Sequence, residues 1–425
     1  VIPNLPSSQA SLNIHTPKVA IIGGGPTGMA LALALHAHGI AAEIFEARTR
    51  QEVAQDTRVL ALSDGSRQIL EWLNAWPAAA ATAIGRIHIS HQGGLGRTLL
   101  HASEMKVPAL GHVLPARDLI NTLDAAVRAA GIAYFEQTFS PRGDRPGDHP
   151  GIVGARGTAP VEGTAPHQPY ALTAWAEGVV NAGNTPEPSS KPIRAPQTHA
   201  KTRPGTQPGI KAHDYAQHAI ICQVHTIAPH HHMAWERFTE QGPVALLPLG
   251  LSSGKAYAVV LTCPAADAER IAALPDAEFL ALLQARFGTR HRFVSATPRD
   301  SFALGLRYRQ TTAGGRQVWL GNAAQTLHPV AGQGFNLALR DVWELARTLQ
   351  HAADPGSADL LAAYARRRAL DRHGAMGFTH GLISIFSSAS PIMRHSRGAG
   401  LLALDLLPGL QRFVARRMMY GARAW

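Results

Sequence analysis

Between Lys18 and Glu46 the chain changes character three times in a way that few folds accept. Lys18 to Ile22 is a short β-rich run that meets Gly23-Gly24-Gly25-Pro26-Thr27-Gly28. Met29 to His38 then has the apolar, alanine-rich spacing of a helix, and Gly39 closes it. Ala41 to Phe45 reads as a second strand ending in Glu46, so the opening is a β-α-β unit and predicts an α/β fold with a Rossmann-like layer.

In Gly23-x-Gly25-x-x-Gly28 the first glycine permits the strand-to-helix turn, and the second lets a pyrophosphate approach the backbone. The third lets helix pack on strand, and the helix N-terminus then faces the phosphates. Glu46 stands where a carboxylate would hold a ribose hydroxyl pair. A turn that binds nothing would not account for it. Glu46 also speaks against NADP here, since it would repel a 2′-phosphate and Arg48 is only a partial counterweight. FAD and NAD both stay open at this point, with Gly23, Gly25, Thr27, Gly28 and Glu46 as candidate nucleotide contacts.

Downstream, Ser66 to Leu73 and Asp118 to Ala130 have helical spacing, and Ile132 to Phe135 is strand-like. Pro141 to Lys211 is dense in Pro, Gly, Thr and Lys; apart from Tyr170 to Ala176 it is expected to be loop. Strands return at His218 to Val224, Val244 to Leu249 and Ala256 to Leu261, an antiparallel set suited to covering a substrate. A helix follows at Asp276 to Phe287, then a short strand at Val318 to Leu320 and a long helix from about Phe335 to His351.

At 425 residues and 45% hydrophobic content the chain can build two or three packed lobes. Cys222 and Cys263 follow no metal or redox spacing, which makes a reducing cytoplasm the default. Val1 to Pro17 lacks the pattern of a secretory signal, and no later stretch reaches a spanning length free of charge, so no transmembrane helix is expected. The net charge of +11 is concentrated late: from Arg366 to Trp425 ten arginines face two aspartates. They alternate with apolar runs such as Leu401 to Leu407, which suits helices lying on a partner or on lipid headgroups at the inner face of a membrane; a solvated arginine face is the other reading. No nucleic-acid-binding module accompanies the charge.

A second glycine-rich turn decides between the dinucleotides. Val318-Trp319-Leu320-Gly321-Asn322-Ala323-Ala324 leads into Thr326-Leu327-His328-Pro329-Val330-Ala331-Gly332-Gln333-Gly334-Phe335-Asn336, with Arg340-Asp341 one turn later. This run resembles the flavin-contacting motif of the aromatic hydroxylase superfamily typified by para-hydroxybenzoate hydroxylase. Such a turn aims backbone N–H groups and a helix N-terminus at an anionic target, as the N1/C2-carbonyl edge of a reduced flavin would be. Asp56-Thr57-Arg58-Val59-Leu60-Ala61-Leu62-Ser63, Arg117-Asp118-Leu119 and Glu236-Arg237-Phe238-Thr239 through Gly242-Pro243 to Leu246-Leu247-Pro248 sharpen the resemblance toward the ubiquinone-biosynthesis branch. Asn322 and Gln325 bring the second turn nearest to the 2-polyprenyl-6-methoxyphenol hydroxylases. The resemblance spans about Pro17 to Phe139 and His213 to Trp425. One segment departs from it: the superfamily's Ala-Asp-Gly followed by Ser and Arg has as its nearest counterpart Trp175-Ala176-Glu177-Gly178, with neither Ser nor Arg in place.

The resemblance implies an FAD-dependent monooxygenase that uses NAD(P)H and O2 to hydroxylate the ring of a polyprenylated phenol. The cofactor carries the hard chemistry, and the protein orients substrate and excludes water. It implies that Gly321, Asn322, Gly332, Gln333, Gly334 and Asn336 meet the flavin. Arg58 and Arg117 would lie near its ribityl and pyrophosphate, with surface salt bridges as their alternative. Pro329 would cover the ring, and His328 would contact substrate or shuttle the phenolic proton, unless it bonds its own loop. Glu236-Arg237-Phe238 is expected to do structural work in the substrate sheet. His230-His231-His232 is a loop or strand end, because consecutive imidazoles cannot converge on a metal, and no metal site is expected.

The expected layout is an FAD-binding domain at 17–84, 110–182 and 299–353, interleaved with a β-sheet substrate domain at 85–109 and 212–298. A flexible insertion at 183–211 and a C-terminal helical segment at 354–425 complete it. A soluble aromatic-acid hydroxylase and a non-catalytic subunit of a quinone-synthesis complex are the rival readings.

Overall fold

The computed structural model describes residues 18–93, 96–138, 170–178, 209–250, 253–329, 332–387 and 391–423, with backbone alone at 386–387, 391–397 and 423. The expected insertion therefore lies outside the described residues up to position 208.

The first strand, Val19–Ile22, is buried along its whole length between the parallel strands Ala42–Phe45 and Leu172–Trp175. Ala133–Phe135 extends this sheet on one side, and Gln317–Trp319 with the short Ala313–Gly314 extends it on the other. A strand covered on both faces reads as a continuous apolar run rather than an alternation, as VAII does. Helix Pro26–Ala37 buries every residue from Gly28 to Leu35. It is sandwiched against helices Ala116–Ala129 and Gln333–Leu349, and Leu31, Leu123, Val318 and Leu345 share the core beneath it.

The second layer is a large, mostly antiparallel sheet. Its long central strand, Ile210–Thr226, pairs with Ala256–Pro264 on one side and with Asp300–Arg309 and Phe293–Ala296 on the other. Gly242–Leu249 and Met233–Thr239 follow, and Met233–Thr239 pairs in parallel with Arg86–His91. The chain before helix Ala116–Ala129 thus supplies edge strands to a sheet built mainly from residues after 209. One face is covered by helices Ala268–Ala272 and Asp276–Phe287, with Phe279 and Leu283 packed on Tyr257 and Val259. Helix Asp276–Phe287 coincides with its predicted span because local signals bound it: Pro275 precedes it, acidic residues fill its first turn, and Gly288 leaves it at φ +93°. Strand Ile210–Thr226 begins eight residues before its predicted start. Its first half is polar and largely exposed, and is extended because Asp300–Arg309 lies beside it. That partner was expected in the FAD-binding part, yet it hydrogen-bonds into this sheet.

A three-stranded antiparallel sheet, Val59–Ser63, Gly111–Pro115 and Thr82–Ile84, packs on the face of the large sheet that the helices leave open. Ile84 and Val113 meet Ala234, Leu249 and Ala258 there. Helices Ala358–Ser387, Pro391–Leu406 and Pro408–Tyr420 close the chain. The middle one follows the edge strands: Thr98 Oγ1 donates to the Leu401 carbonyl at 2.8 Å.

Candidate active site

Each glycine of the first turn has a separate steric reason. Gly23 takes φ +108°, and a Cβ there would press on the Ala176 and Glu177 backbone at 2.8–2.9 Å. A Cβ on Gly28 would run into the Gly23 carbonyl, while Gly25 has nothing within 4 Å of its Cβ position. The turn is thus closed behind and open in front, at the N-terminus of helix Pro26–Ala37, where an anion is favoured. Glu46 is buried. One carboxylate oxygen accepts from Gly24 N at 2.7 Å, and the other accepts from Arg48 N and Nε at 3.1 and 2.9 Å. It braces the turn from the next strand, beside the open front.

The second turn comes to the same place. Gly321, at φ +53°, faces Thr27, whose Oγ1 lies 3.2 Å from the Cβ position. Asn322 Nδ2 donates to the Gly178 carbonyl at 3.0 Å. The degenerate Ala176-Glu177-Gly178 segment is therefore held between Gly23 and Asn322. Gly332 enters helix Gln333–Leu349 at φ +58°, an N-terminus that begins against Ala61. Gly334 has open space at its Cβ position, as Gly25 does. Two helix N-termini and two open glycines provide the anion-binding, unobstructed backbone that the phosphates and pyrimidine edge of FAD require, so the residues present fit that group.

The other expected contacts divide. Asn336 commits its whole amide to the protein. Nδ2 donates to the Ala61 and Gly332 carbonyls at 3.0 and 2.6 Å, and Oδ1 accepts from Ser63 N and Ser66 Oγ at 2.8 and 2.6 Å. Gln333 is buried and turned away from the open front, donating to the Met418 carbonyl at 3.3 Å and accepting from Arg340. Both residues shape the turn from behind. Arg58 and Arg117 meet at the paired ends of Val59–Ser63 and Gly111–Pro115, exposed; Arg58 is bidentate to Asp56, and Arg117 lies 3.9 Å from Asp118. Each arginine makes a local surface ion pair, the alternative reading of its role.

His328 is buried, and burial pushes its imidazole down to about 4, so it is neutral near pH 7. The Tyr215 ring stands edge-on to it at 5.6 Å, and the Tyr215 hydroxyl meets His380 Nδ1 at 3.2 Å. Sequence reading missed both. Tyr215 sits where strand Ile210–Thr226 shifts register between Asp214 and Gln217, an irregularity no hydrophobic pattern announces. Pro329 is half-buried, and its carbonyl accepts from Gly332 N at 2.8 Å. In the triple-histidine segment, His230 is buried with Nε2 on the Leu249 carbonyl, and His231 and His232 have positive φ.

Behind the second turn lies a buried ionic cluster that also escaped the sequence reading. Asp341 accepts from Gly321 N at 3.3 Å, Gln325 Nε2 at 2.9 Å and Arg368 Nε at 2.7 Å. Asp371 accepts from Arg340 and Arg368 at 2.8 Å each, and from Ala422 N at 3.0 Å. Burial alone would raise the Asp371 carboxyl, but Arg340 and Arg368 outweigh it and hold it below the usual range. Arg372 reaches Gln325 Oε1 at 2.8 Å and the Arg309 carbonyl. Arg368 and Arg372, which the sequence counts toward a surface excess of charge, are core residues. The Arg368-Asp371-Arg372 spacing along one helix was the available signal.

Two glycine turns meeting over one cleft, with a β-sheet lobe beside them, define a flavin-dependent oxidoreductase. The chain belongs to the FAD binding domain family, which matches residues 16–140 and 201–378, and it is an FAD-dependent monooxygenase. It is 27% identical over 429 residues to the ubiquinone hydroxylase UbiL of Rhodospirillum rubrum, covering 97% of this chain and 92% of that one. To the 3-demethoxyubiquinol 3-hydroxylase of Escherichia coli it is 28% identical over 413 residues, 93% and 96% of the two chains. Among solved structures, PqsL of Pseudomonas aeruginosa in complex with 2-aminobenzoylacetate shares the fold, with a TM-score of 0.67 at 17% identity over 91% of this chain and 99% of that one.

Proposed function

We propose that this protein hydroxylates the aromatic ring of a polyprenylated phenol in ubiquinone biosynthesis, using NAD(P)H and O2. The observation that carries this reading is the mostly apolar face of the large sheet beside the second turn. Ile89, Glu236, Ala245, Val260 and Ile221 lie in one cross-strand row, apolar apart from Glu236, with no lysine or arginine in it to pair with a carboxylated substrate. The ubiquinone hydroxylase and the 3-demethoxyubiquinol 3-hydroxylase, matching over nine-tenths of both chains, support it.

Bound FAD, reduced by NAD(P)H, supplies the redox chemistry that activates O2 and delivers one oxygen atom. The protein's own residues do the rest. Gly25 and Gly334 leave room for the cofactor's close approach. His328, uncharged, stands at the ring-facing loop without adding an ion to an apolar cleft. The Tyr215 hydroxyl and His380 link its surroundings to the surface, a route by which the phenolic proton leaves.

No helix among the described residues is long and apolar enough to cross a membrane. The turn between the last two long helices exposes Leu406 at 66% and Leu407 at 54%, close in sequence to the exposed Arg412 and Arg416. This combination suits peripheral contact with anionic lipid, from which a prenylated substrate would come. The test is turnover by flavin-loaded protein with 2-geranylphenol, following NAD(P)H oxidation and hydroxylated product together. Oxidation that yields only peroxide, or no oxidation at all, contradicts the reading. Vesicle co-sedimentation with Leu406→Asp checks the lipid contact separately.

A further inference from the structure

Of the Glu236-Arg237-Phe238 segment, two residues do the structural work expected of all three. Arg237 Nε donates to the Arg286 carbonyl at 3.1 Å on the helix-covered side, and Phe238 is buried. Glu236 has no such employment. Glu236 as a whole is half-buried, but its Oε1 is shut off from solvent and has no hydrogen-bond partner among the described residues. A carboxyl oxygen buried without a partner costs stability unless a bound molecule satisfies it.

Register shows where it points. Glu236 pairs with Ala245 and Ile89, one residue out of step with Trp235, whose indole packs under helix Asp276–Phe287. Glu236 therefore faces the opposite side, as Ala234 and Leu247 do. That is the face on which the three-stranded sheet packs, and Ala61 of that sheet lies 3.6 Å from the Gly332 Cβ position. Glu236 thus stands on the mostly apolar sheet face whose covering three-stranded sheet also reaches the second glycine turn. Burial pushes it up to about 8, so near pH 7 it is mostly the neutral acid, able both to donate and to accept.

We propose that Glu236 binds the ring hydroxyl of the substrate, the one polar handle on an otherwise apolar molecule, and so selects which ring edge faces the second turn. This rests on the prenyl-phenol reading. A site built to hydrogen-bond a hydroxyl rejects the analogue lacking it, because its own polar group is then left unpaired.

The experiment titrates FAD-loaded protein with 2-geranylphenol and with its methyl ether, reading the perturbation of the flavin absorbance. Wild type is expected to bind the phenol about tenfold more tightly than the ether. Glu236→Leu is expected to bring the two affinities together by weakening the phenol alone, with a Tm no lower than wild type; a structural carboxyl would lower the Tm instead. Glu236→Gln keeps a hydrogen-bonding amide and should retain most of the preference. Equal affinity of wild type for both compounds overturns the assignment without any variant, and so does a Glu236→Leu protein that keeps the wild-type ratio. If the wild-type flavin responds to neither compound, the prenyl-phenol reading falls and takes this inference with it.

Discussion

The two glycine turns come to one place but are held in different ways. The first is closed mainly by neighbours: Gly28 fits under the Gly23 carbonyl, and Glu46, at the end of the next strand, ties Gly24. The second is held from far along the chain. Asn336 fastens it to Ala61 and Ser63, Gln333 to Met418, and Asp341 links Gly321 to Arg368. A turn made by local sterics survives where its β-α-β unit folds, whereas one made by distant polar ties needs the whole molecule assembled, the last helices included. Damage near the C-terminus should therefore reach the flavin through the second turn and spare the first.

The sharpest break is Gly28→Ala, where the new Cβ collides with backbone that cannot give. A loss of about 4 kcal/mol or more is expected, seen as little folded, colourless protein. Gly25→Ala, with open space around it, should keep stability within about 1 kcal/mol while weakening FAD by roughly tenfold or more, measured by flavin release. Equal damage from both would erase the distinction between a closed back and an open front.

On the second turn, Arg368→Met leaves Asp341 and Asp371 buried and short of a partner. It should cost about 3–5 kcal/mol in denaturant unfolding and loosen the flavin as well. Flavin affinity unchanged in a folded Arg368→Met protein would show that the turn does not depend on the cluster. Asn336→Ala removes four hydrogen bonds but lets the backbone relax; about 1–3 kcal/mol is expected, with quenching of flavin fluorescence altered.

Acid should act on the second turn through His328. His328 has a folded pKa of about 4 against 6.5 unfolded, so the folded state binds fewer protons between those values. The stability it supports is present above about pH 6.5 and is lost as pH falls toward 4, by up to about 3 kcal/mol. His328→Asn should flatten that part of the Tm-against-pH curve relative to wild type. His88 and His291, also depressed to about 4, contribute in the same direction in both proteins and cancel from the comparison.

The first turn was legible because its motif and Glu46 lie within thirty residues and most of its closure follows from the volume of a Cβ, although Ala176 and Glu177 close Gly23 from far along the chain. The second was legible as a motif, but the roles of its side chains were not. The side chains of Asn336 and Gln333, expected at the flavin, bond to protein groups at 61–66 and 418 that are neighbours only in the fold. Arg368 and Arg372 counted as surface charge because composition records a residue's sign and not its depth. Tyr215 stayed unseen because a register shift follows from how two strands are matched, which neither strand specifies alone.

By itself, the order of residues determined the β-α-β opening, the helix at 276–287 and both glycine turns, because turn sterics, capping and periodicity act over a few neighbours. Only the tertiary structure decided that Gly321 comes to rest on Thr27, that a carboxyl at 236 is left without a partner, and that arginines of the last segment turn inward. Burial and pairing are properties of the assembled layers, and a charge or an amide has no assigned partner until those layers close around it.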